Sequence, residues 1–318
     1  MGMALLALGA PVLGQESTST PEATAMAGEQ VVINVPGITP EGVEYDATGQ
    51  RFLIGSLTDG KIRQVTDDGM VSTFVEDADN VSTTGLQVDA VRNRLLVAST
   101  DAVVFSDPSA KGKAALAAYD LSSGKRLFYV DLAAIASDGR NFANDVAIDA
   151  DGNAYVTNSM TPVIYKVDTE GKASVFARDD RFAGTPIGLN GIDFDPDGYL
   201  LVSAQGKSKV YKIPVQDPSI ITEVKLSEPF GADGMALAED GTLYAVAMTG
   251  QGDSAKQEVL AVTSADGWAS GTIAARLATD GNASTLAIRD GAPWYIEDYV
   301  SNPQATQYEI VHAMLEAG

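Results

Sequence analysis

One short pattern recurs six times along the chain, and this repeat restricts the fold more than any other feature. Each copy has a polar residue, a small residue, alternating apolar residues, a tight turn and a second apolar run. The third copy runs from Asn144 to Asp149 and continues, after its turn, from Ala154 to Ser159. The copies begin near residues 42, 85, 145, 191, 234 and 285, which gives a mean period of roughly 49 residues.

A period of this length built from short strands predicts an all-β fold, a six-bladed β-propeller with four antiparallel strands per blade. Asp-Gly dipeptides separate many of the paired runs, as expected for tight hairpin turns. The last copy leaves only residues 285–318, enough for three strands. The β-like run from Gln30 to Val35 is therefore predicted to supply the missing strand and close the ring. Residues 30–318 then form a single propeller domain.

Helical periodicity is weak throughout the sequence. Two segments, Ala114 to Tyr119 and Leu132 to Ala136, are predicted as short helices in loops because they are rich in good helix formers. Neither is long enough to change the all-β assignment.

Residues 1–29 do not share the repeat. The apolar run from Ala4 to Leu13 is too short to span a bilayer and resembles the apolar core of a secretory signal. Residues 16–29, rich in Ser, Thr, Pro and Ala, resemble a flexible linker. The segment predicts a secreted, periplasmic or extracellular protein. A disordered tail on a cytoplasmic protein is the alternative.

Composition excludes several classes of function. The net charge of -22 argues against nucleic acid as a partner, and no segment predicts membrane insertion. The absence of Cys excludes a Cys nucleophile and Cys-ligated metals, and one His excludes a two-His zinc site. The hydrophobic fraction of 45% excludes disorder of the whole chain.

Six oxygen-bearing residues are predicted to meet at one end of the propeller channel, because each directly precedes the first strand of a blade. They are Glu41, Thr84, Asn144, Asn190, Asp233 and Ser284. Two carboxylates and two amides without His favour a hard divalent cation, Ca²⁺ in preference to zinc or Mg²⁺, although another divalent cation is not excluded. Alternatively, Asn, Asp and Ser stand there as turn formers, which does not explain Glu41.

Four segments in this order carry a family resemblance. They are Pro40-Glu41-Gly42, Asn144-Asp145 with Asp149, Asn190-Gly191 with Pro196-Asp197-Gly198, and Asp233-Gly234-Met235 with Leu243-Tyr244. The chain resembles the gluconolactonase, senescence marker protein and luciferin-regenerating enzyme family of six-bladed calcium propellers. The resemblance implies that Glu41, Asn190 and Asp233 ligate the metal and that Asn144 lies at the metal or the substrate.

The sequence departs from that family at the predicted pocket. Phe142 stands where sugar-lactone members usually have Arg, and Val43 and Tyr45 replace a usual Pro and Trp. An aromatic ring has no donors for a sugar hydroxyl, so Phe142 predicts a preference for apolar lactones or aryl esters over gluconolactone. Alternatively, Phe142 packs into the blade. His312, in a late strand, is predicted to be structural.

Together these features predict a calcium-dependent hydrolase of a small-molecule lactone or ester. Asp233 is the predicted base, and Phe142, Asn144, Thr84 and Ser284 are the predicted substrate contacts. Strand alternation is expected to turn Asp145 away from the ion. No G-x-S-x-G motif is present. A non-catalytic extracellular ligand-binding propeller with structural calcium and a phosphotriesterase-type hydrolase remain alternatives, and the oligomeric state stays open.

Overall fold

The structure, a computed structural model, describes residues 29–136, 139–298 and 304–317. The predicted export signal and almost all of the predicted linker lie outside these ranges. The described chain is all-β with a propeller-like arrangement, and its helices are five 3₁₀ segments of three or four residues. Within the described residues, no helix is long and apolar enough to cross a membrane.

The first half of the chain forms a single strand and three sets of four antiparallel strands. The single strand is β1 (Gln30–Ile33). Set 1 contains β2 (Val43–Asp46), β3 (Arg51–Ile54), β4 (Ile62–Val65) and β5 (Val71–Val75). Set 2 contains β6 (Ser82–Asp89), β7 (Arg94–Thr100), β8 (Gly112–Asp120) and β9 (Arg126–Asp131). Set 3 contains β10 (Asn141–Ile148), β11 (Ala154–Asn158), β12 (Val163–Val167) and β13 (Ala173–Arg178).

The second half repeats this arrangement. Set 4 contains β14 (Leu189–Asp195), β15 (Tyr199–Ala204), β16 (Lys209–Pro214) and β17 (Thr222–Glu223). Set 5 contains β19 (Phe230–Leu237), β20 (Leu243–Thr249), β21 (Lys256–Thr263) and β22 (Ser270–Ala278), flanked by β18 (Lys225–Leu226) and β26 (Glu316–Ala317). Set 6 contains β23 (Ala283–Arg289), β24 (Ala292–Glu297) and β25 (Tyr308–His312).

Set 6 is completed by the other end of the chain. All four residues of β1 pair with β25, from Gln30 opposite Val311 to Ile33 opposite Tyr308. The predicted strand in the run from Gln30 is therefore confirmed. Without this pairing β25 would present an open edge.

The first strands of the sets lie side by side in a cycle. β2 contacts β6, and the contacts continue through β10, β14, β19 and β23, which again contacts β2. Buried apolar clusters fill the junctions between successive sets. At the junction of set 6 with set 1, Ile33, Phe52, Trp294 and Ile310 share one cluster. The residues that begin the first strands are thereby brought towards a common axis.

The turns follow the sequence signals closely. Between β23 and β24, Asp290 and Gly291 both have positive φ, 52° and 78°, as a two-residue hairpin turn requires. The helix predicted from Ala114 to Tyr119 is wrong, because these residues lie within β8 and pair with both β7 and β9. Strand pairing on two sides outweighs the helix propensity of the alanines. Residues 132–136 form turns, so the second predicted helix is also wrong.

Candidate functional site

The six predicted channel residues occupy equivalent positions in the six sets, but only Glu41 precedes the first strand of its set. The other five lie within their first strands, because pairing with the second strand already begins ahead of them. In sets 2 to 6, the pairing of the first two strands shifts register across the predicted residue and its successor, for example between Ala143 and Val146. Glu41 lies two residues before Val43, where β2 begins, and the carbonyl oxygen of Gly42 accepts a 2.9 Å hydrogen bond from the amide of Gly55. A β-bulge bends a strand and re-aims its side chains. The repeated bulge is therefore the local feature that orients the site residues of sets 2 to 6.

The bulge also corrects one expectation. Alternation predicted that Asp145 points away from the ion, but Asp145 lines a small cavity together with Glu41, Asn144, Asn190 and Asp233. The register shift across residues 144 and 145 breaks the alternation of the strand, so that both neighbours reach the channel.

Glycines after the site residues allow adjacent first strands to approach closely. A Cβ atom on Gly85 would lie 2.4 Å from Oδ1 of Asp145, and one on Gly234 would lie 2.0 Å from Oγ1 of Thr285. The missing side chains of Gly85 and Gly234 thus leave space for Asp145 of set 3 and Thr285 of set 6. This explains why Gly234, unlike the glycine of most Asp-Gly pairs, lies in the channel and not in a hairpin turn.

The predicted metal ligands line one larger cavity of about 680 Å³ at the mouth of the channel. Glu41, Asn144, Asn190 and Asp233 all contribute to its wall. Asp298, which follows β24, adds a third carboxylate that the sequence did not single out. No lining residue in the described part of the chain is Lys, Arg or His.

Hydrogen bonds orient the two amides of the predicted ligand set. Nδ2 of Asn190 donates to Oδ1 of Asp233 at 2.6 Å and to Oε1 of Gln205 at 2.8 Å. Nδ2 of Asn144 donates to Oγ of Ser159 at 2.9 Å. Since both amide nitrogens have protein acceptors, the carbonyl oxygens are the ends of these side chains that remain to receive a ligand from the cavity.

Burial and mutual repulsion raise the pKa values of the two carboxylates. Burial raises the pKa of Asp233 to about 7, with a contribution from Asp298, while the hydrogen bond from Asn190 acts in the opposite direction. The pKa of Glu41 is raised well above its usual value by burial and by Asp233, Asp145 and Asp298. The cavity therefore disfavours negative charge unless a cation or a proton neutralises it.

The donor chemistry of this cavity fits a hard cation. All four predicted ligands offer oxygen, which suits calcium better than zinc. Among the described residues, no group of three or more His, Asp or Glu side chains is arranged to hold a metal ion by itself. A cation here would therefore depend on the amide oxygens of Asn144 and Asn190 in addition to the carboxylates of Glu41 and Asp233.

Two predicted substrate contacts have other partners. Thr84 is fully buried, its hydroxyl donates to the carbonyl oxygen of Ala143 at 2.9 Å, and it is absent from the described lining of the large cavity. Ser284 does line that cavity, but its hydroxyl donates to the carbonyl oxygen of Glu41 at 2.9 Å. Ser284 thereby holds the segment that carries Glu41, and Thr84 ties set 2 to set 3.

Phe142 packs into its strand set and also borders the large cavity. Only 3% of its surface is exposed, yet its ring lines the large cavity. Phe105, 50% exposed, packs edge-on against it with ring centroids 4.8 Å apart. Leu57, Ala102 and Ile187 extend this apolar wall. Phe105 lies outside the repeated pattern, so the repeat did not predict that Phe105 lines the cavity.

His312 is the last residue of β25 in set 6. Its ring stacks on Trp294 with centroids 5.1 Å apart and an interplanar angle of 14°. His312 is not part of the described wall of the large cavity. This placement agrees with its predicted structural role.

Three further carboxylates lie deeper in the channel, around an inner cavity of about 130 Å³. Asp145 accepts from the amide of Ile192 in set 4, and Asp193 accepts from the amide of Leu237 in set 5, at 3.1 and 2.6 Å. The third carboxylate, Glu44, also lines this cavity. Asp145 and Asp193 thus hold neighbouring first strands together.

Ionisation of these inner carboxylates is expected to destabilise the metal-free protein. Burial raises the pKa of Asp193 to about 6 and that of Asp145 to about 7, and raises that of Glu44 well above its usual value. In the unfolded chain these groups titrate near about 4. The folded protein therefore binds more protons, and its free energy of unfolding should fall as pH rises from about 4 to about 7.

The variant Glu44→Gln removes one of these charges and should flatten this dependence. In chelator, its melting temperature at pH 8 should exceed that of the wild type by about 2 °C, the equivalent of about 1 kcal/mol. Glu239→Gln, an exposed carboxylate between β19 and β20, is the control and should have no such effect. Thermal denaturation at pH 5 and pH 8 tests this, and a wild-type melting temperature that rises between these values contradicts it.

Comparisons with known proteins give the chain a family and structural relatives. A family model described as the SMP-30/Gluconolactonase/LRE-like region matches residues 39–273, which include Glu41, Asn144, Asn190 and Asp233. The major allergen Mal f 1 of Malassezia furfur is 27% identical over 239 residues, which cover 67% of this chain and 68% of that protein.

Solved structures share the fold at low sequence identity. The major Malassezia sympodialis allergen Mala s 1 matches with a TM-score of 0.71 and 20% identity over 91% of this chain and 96% of that one. XC5397 from Xanthomonas campestris, described as a gluconolactonase, matches with a TM-score of 0.59 and 17% identity over 92% and 93% of the two chains. At this identity the likeness concerns the fold alone.

Proposed function

Because this chain belongs to the SMP-30/gluconolactonase/LRE-like family, we propose that it is a metal-dependent hydrolase that opens a lactone or cleaves an ester. The observation that carries the proposal is the large cavity, where Glu41, Asn144, Asn190 and Asp233 bring oxygen ligands together beside an apolar wall. The described lining contains three carboxylates and no basic residue, which supports a cation, with Ca²⁺ the best match to the donors.

The six strand sets are proposed to be the six blades of a closed propeller. The cyclic contacts of the first strands and the pairing of β1 with β25 support this count and this closure. The ring matters for function because it brings Glu41, just ahead of β2, to the same channel mouth as side chains from β10, β14 and β19, which are far apart in sequence.

Within this site each side chain has a distinct role. Glu41, Asn144, Asn190 and Asp233 would hold a calcium ion, which when bound would supply positive charge to polarise the carbonyl group of a substrate. Asn190 restrains the carboxylate of Asp233 through the 2.6 Å hydrogen bond. Phe142 and Phe105 exclude water from one side of the cavity and contact the apolar part of the substrate.

Asp233 is the first candidate for the base. It would take a proton from the attacking water as the water oxygen bonds to the carbonyl carbon, and return that proton to the alcohol oxygen as the C–O bond breaks. As a proposed ligand, Asp233 would lose basicity to a nearby cation. Asp298 lines the same cavity outside the predicted ligand set and is therefore the second candidate.

Hydrolysis assays with and without calcium test the proposed function. Phenyl acetate, a γ-alkyl lactone and gluconolactone should be compared in excess Ca²⁺ and in chelator, with a phosphotriester added to the panel. We expect turnover of the first two substrates in calcium, slower turnover of gluconolactone, and loss of all activity in chelator. Calcium-dependent binding without turnover of any substrate would favour a non-catalytic ligand-binding propeller. Preferred turnover of the phosphotriester would favour a phosphotriesterase-type hydrolase.

Calcium is also expected to stabilise the fold. A ligand at 100 times its dissociation constant adds about 2.7 kcal/mol, roughly 5 °C in melting temperature for a chain of this size. Thermal denaturation should show this difference between calcium and chelator at pH 7. Identical melting curves would exclude the proposed site, and Glu41→Gln should reduce the difference because it removes one ligand charge.

A further inference from the structure

Two cavities adjoin at the ring of Phe105. One is the large cavity that contains the proposed metal ligands, and the other has a volume of about 480 Å³. Phe105 lines both, so the cavities are neighbours across this single side chain. The second cavity is also lined by Val104, Pro108, Met160 and Pro186, and it contains none of the proposed metal ligands. Thr185 and Arg140 are its polar lining residues, and the guanidinium of Arg140 donates to the carbonyl oxygens of Val104 and Ala110.

Phe105 is held in place but remains half uncovered. It ends a 3₁₀ helix, Ala102–Phe105, whose first turn is capped by the side chain of Asp101. Arg140 donates to the carbonyl oxygen of Val104 and so fixes the segment that carries the ring. Because half of the Phe105 surface stays exposed, an apolar group lying across it would gain free energy by leaving water.

The apolar surface formed by Phe142 and Phe105 extends away from the proposed metal ligands. Phe142 lines the large cavity together with Asn144, two residues further along the chain, and contacts Phe105, which in turn lines the second cavity. An extended chain attached to a carbonyl group at Asn144 would thus meet aromatic surface first and then Met160 and the prolines. A small sugar lactone reaches none of this second surface.

Resting on the proposed function, we propose that the substrate carries an apolar alkyl or acyl chain, which crosses the Phe142–Phe105 pair and enters the second cavity. The second cavity is then a chain-binding site, and the preferred substrates are medium-chain esters or alkyl lactones. Each methylene group buried there should raise kcat/KM by up to about fourfold, the equivalent of about 0.8 kcal/mol.

A chain-length series tests the site by hydrolysis. In excess calcium, kcat/KM should rise at least tenfold from p-nitrophenyl butyrate to p-nitrophenyl octanoate. Met160→Glu should abolish this gain and leave p-nitrophenyl acetate unchanged, and Pro108→Glu, at an exposed position of the same cavity, should do the same if the first variant does not fold. Val103→Glu is the matched control. It adds the same charge to the 3₁₀ helix that carries Phe105, at an exposed residue outside the described lining of both cavities.

A binding experiment separates this site from the proposed hydrolysis. Calorimetry should show 1-octanol binding at least tenfold more tightly than 1-butanol, with the difference lost in Pro108→Glu and kept in Val103→Glu. If that holds while no ester is hydrolysed, the proposed function fails and the chain-binding site stands. If octanol binds no more tightly than butanol, the chain-binding site is refuted. It is also refuted if the protein hydrolyses butyrate and octanoate esters but hydrolyses octanoate no faster.

Discussion

Asp233→Asn should lower turnover of the best ester or lactone by about 100-fold or more, even when excess calcium occupies the site. The substitution keeps the shape of the side chain but removes the charge that would bind the cation and accept a proton. It also replaces the acceptor of the 2.6 Å hydrogen bond from Asn190 with a neutral oxygen. The measurement is kcat over a calcium titration, with calcium affinity determined separately by calorimetry.

A set of carboxylate-to-amide variants assigns the roles. Glu41→Gln should weaken calcium binding and recover much of its turnover at high calcium, because Glu41 is proposed as a ligand only. Asp298→Asn should lower kcat with little effect on calcium affinity if Asp298 is the base. Glu44→Gln changes a half-buried channel carboxylate outside the described lining of the large cavity; it is the matched control and should retain activity. An Asp233→Asn protein with normal calcium affinity and full turnover would remove Asp233 from the mechanism.

The positions of the proposed ligands were predictable because the repeat is in the sequence. Each copy places a residue such as Asn190 or Asp233 at the register shift of its first strand, and the repeated arrangement of the sets brings those residues to one axis. The argument needed only the period and the topology of a propeller. It did not depend on any single contact.

Residues whose placement depends on a deviation from regular structure were not predictable. Asp145 was expected to point away because a regular strand alternates, and the bulge that turns it into the channel has no sequence signature beyond the small residues around it. Phe105 and Asp298 lie after the paired strands, where the repeat says nothing. Thr84 fits the repeat, but its hydroxyl group donates a hydrogen bond to the carbonyl oxygen of Ala143 on the neighbouring strand. The short side chain of Thr reaches that backbone, and the repeat does not predict this bond.

The close packing of the first strands limits how such a site can change. Gly85 and Gly234 are required by the side chains of Asp145 and Thr285, which occupy the space that a Cβ atom would take. Substitutions that alter substrate preference are therefore expected in the loops around Phe105 and not in the channel, where the geometry of neighbouring sets is coupled.

Removal of β1 should unfold the protein or cause it to aggregate. A chain that begins at Gly37 loses both buried side chains of β1, Val31 and Ile33, and exposes the edge of β25. Each lost side chain costs about 2 to 4 kcal/mol, and the unpaired edge adds to this. The sum approaches the total stability of a typical domain, about 5 to 15 kcal/mol. Circular dichroism and size-exclusion chromatography would detect the loss of the folded monodisperse state.

The matched control is a chain that begins at Glu29, which keeps β1 and the carbonyl oxygen that accepts a 2.8 Å hydrogen bond from the amide of His312. It should melt within about 2 °C of the full-length protein, because residues 1–28 lack the strand pattern. Ile33→Ala offers a graded test in the full chain, with an expected loss of about 2 to 4 kcal/mol. Since β1 pairs with the last full strand of set 6, these losses should appear as cooperative unfolding and not as local fraying. A stable, monodisperse protein that begins at Gly37 would show that the ring does not depend on this strand.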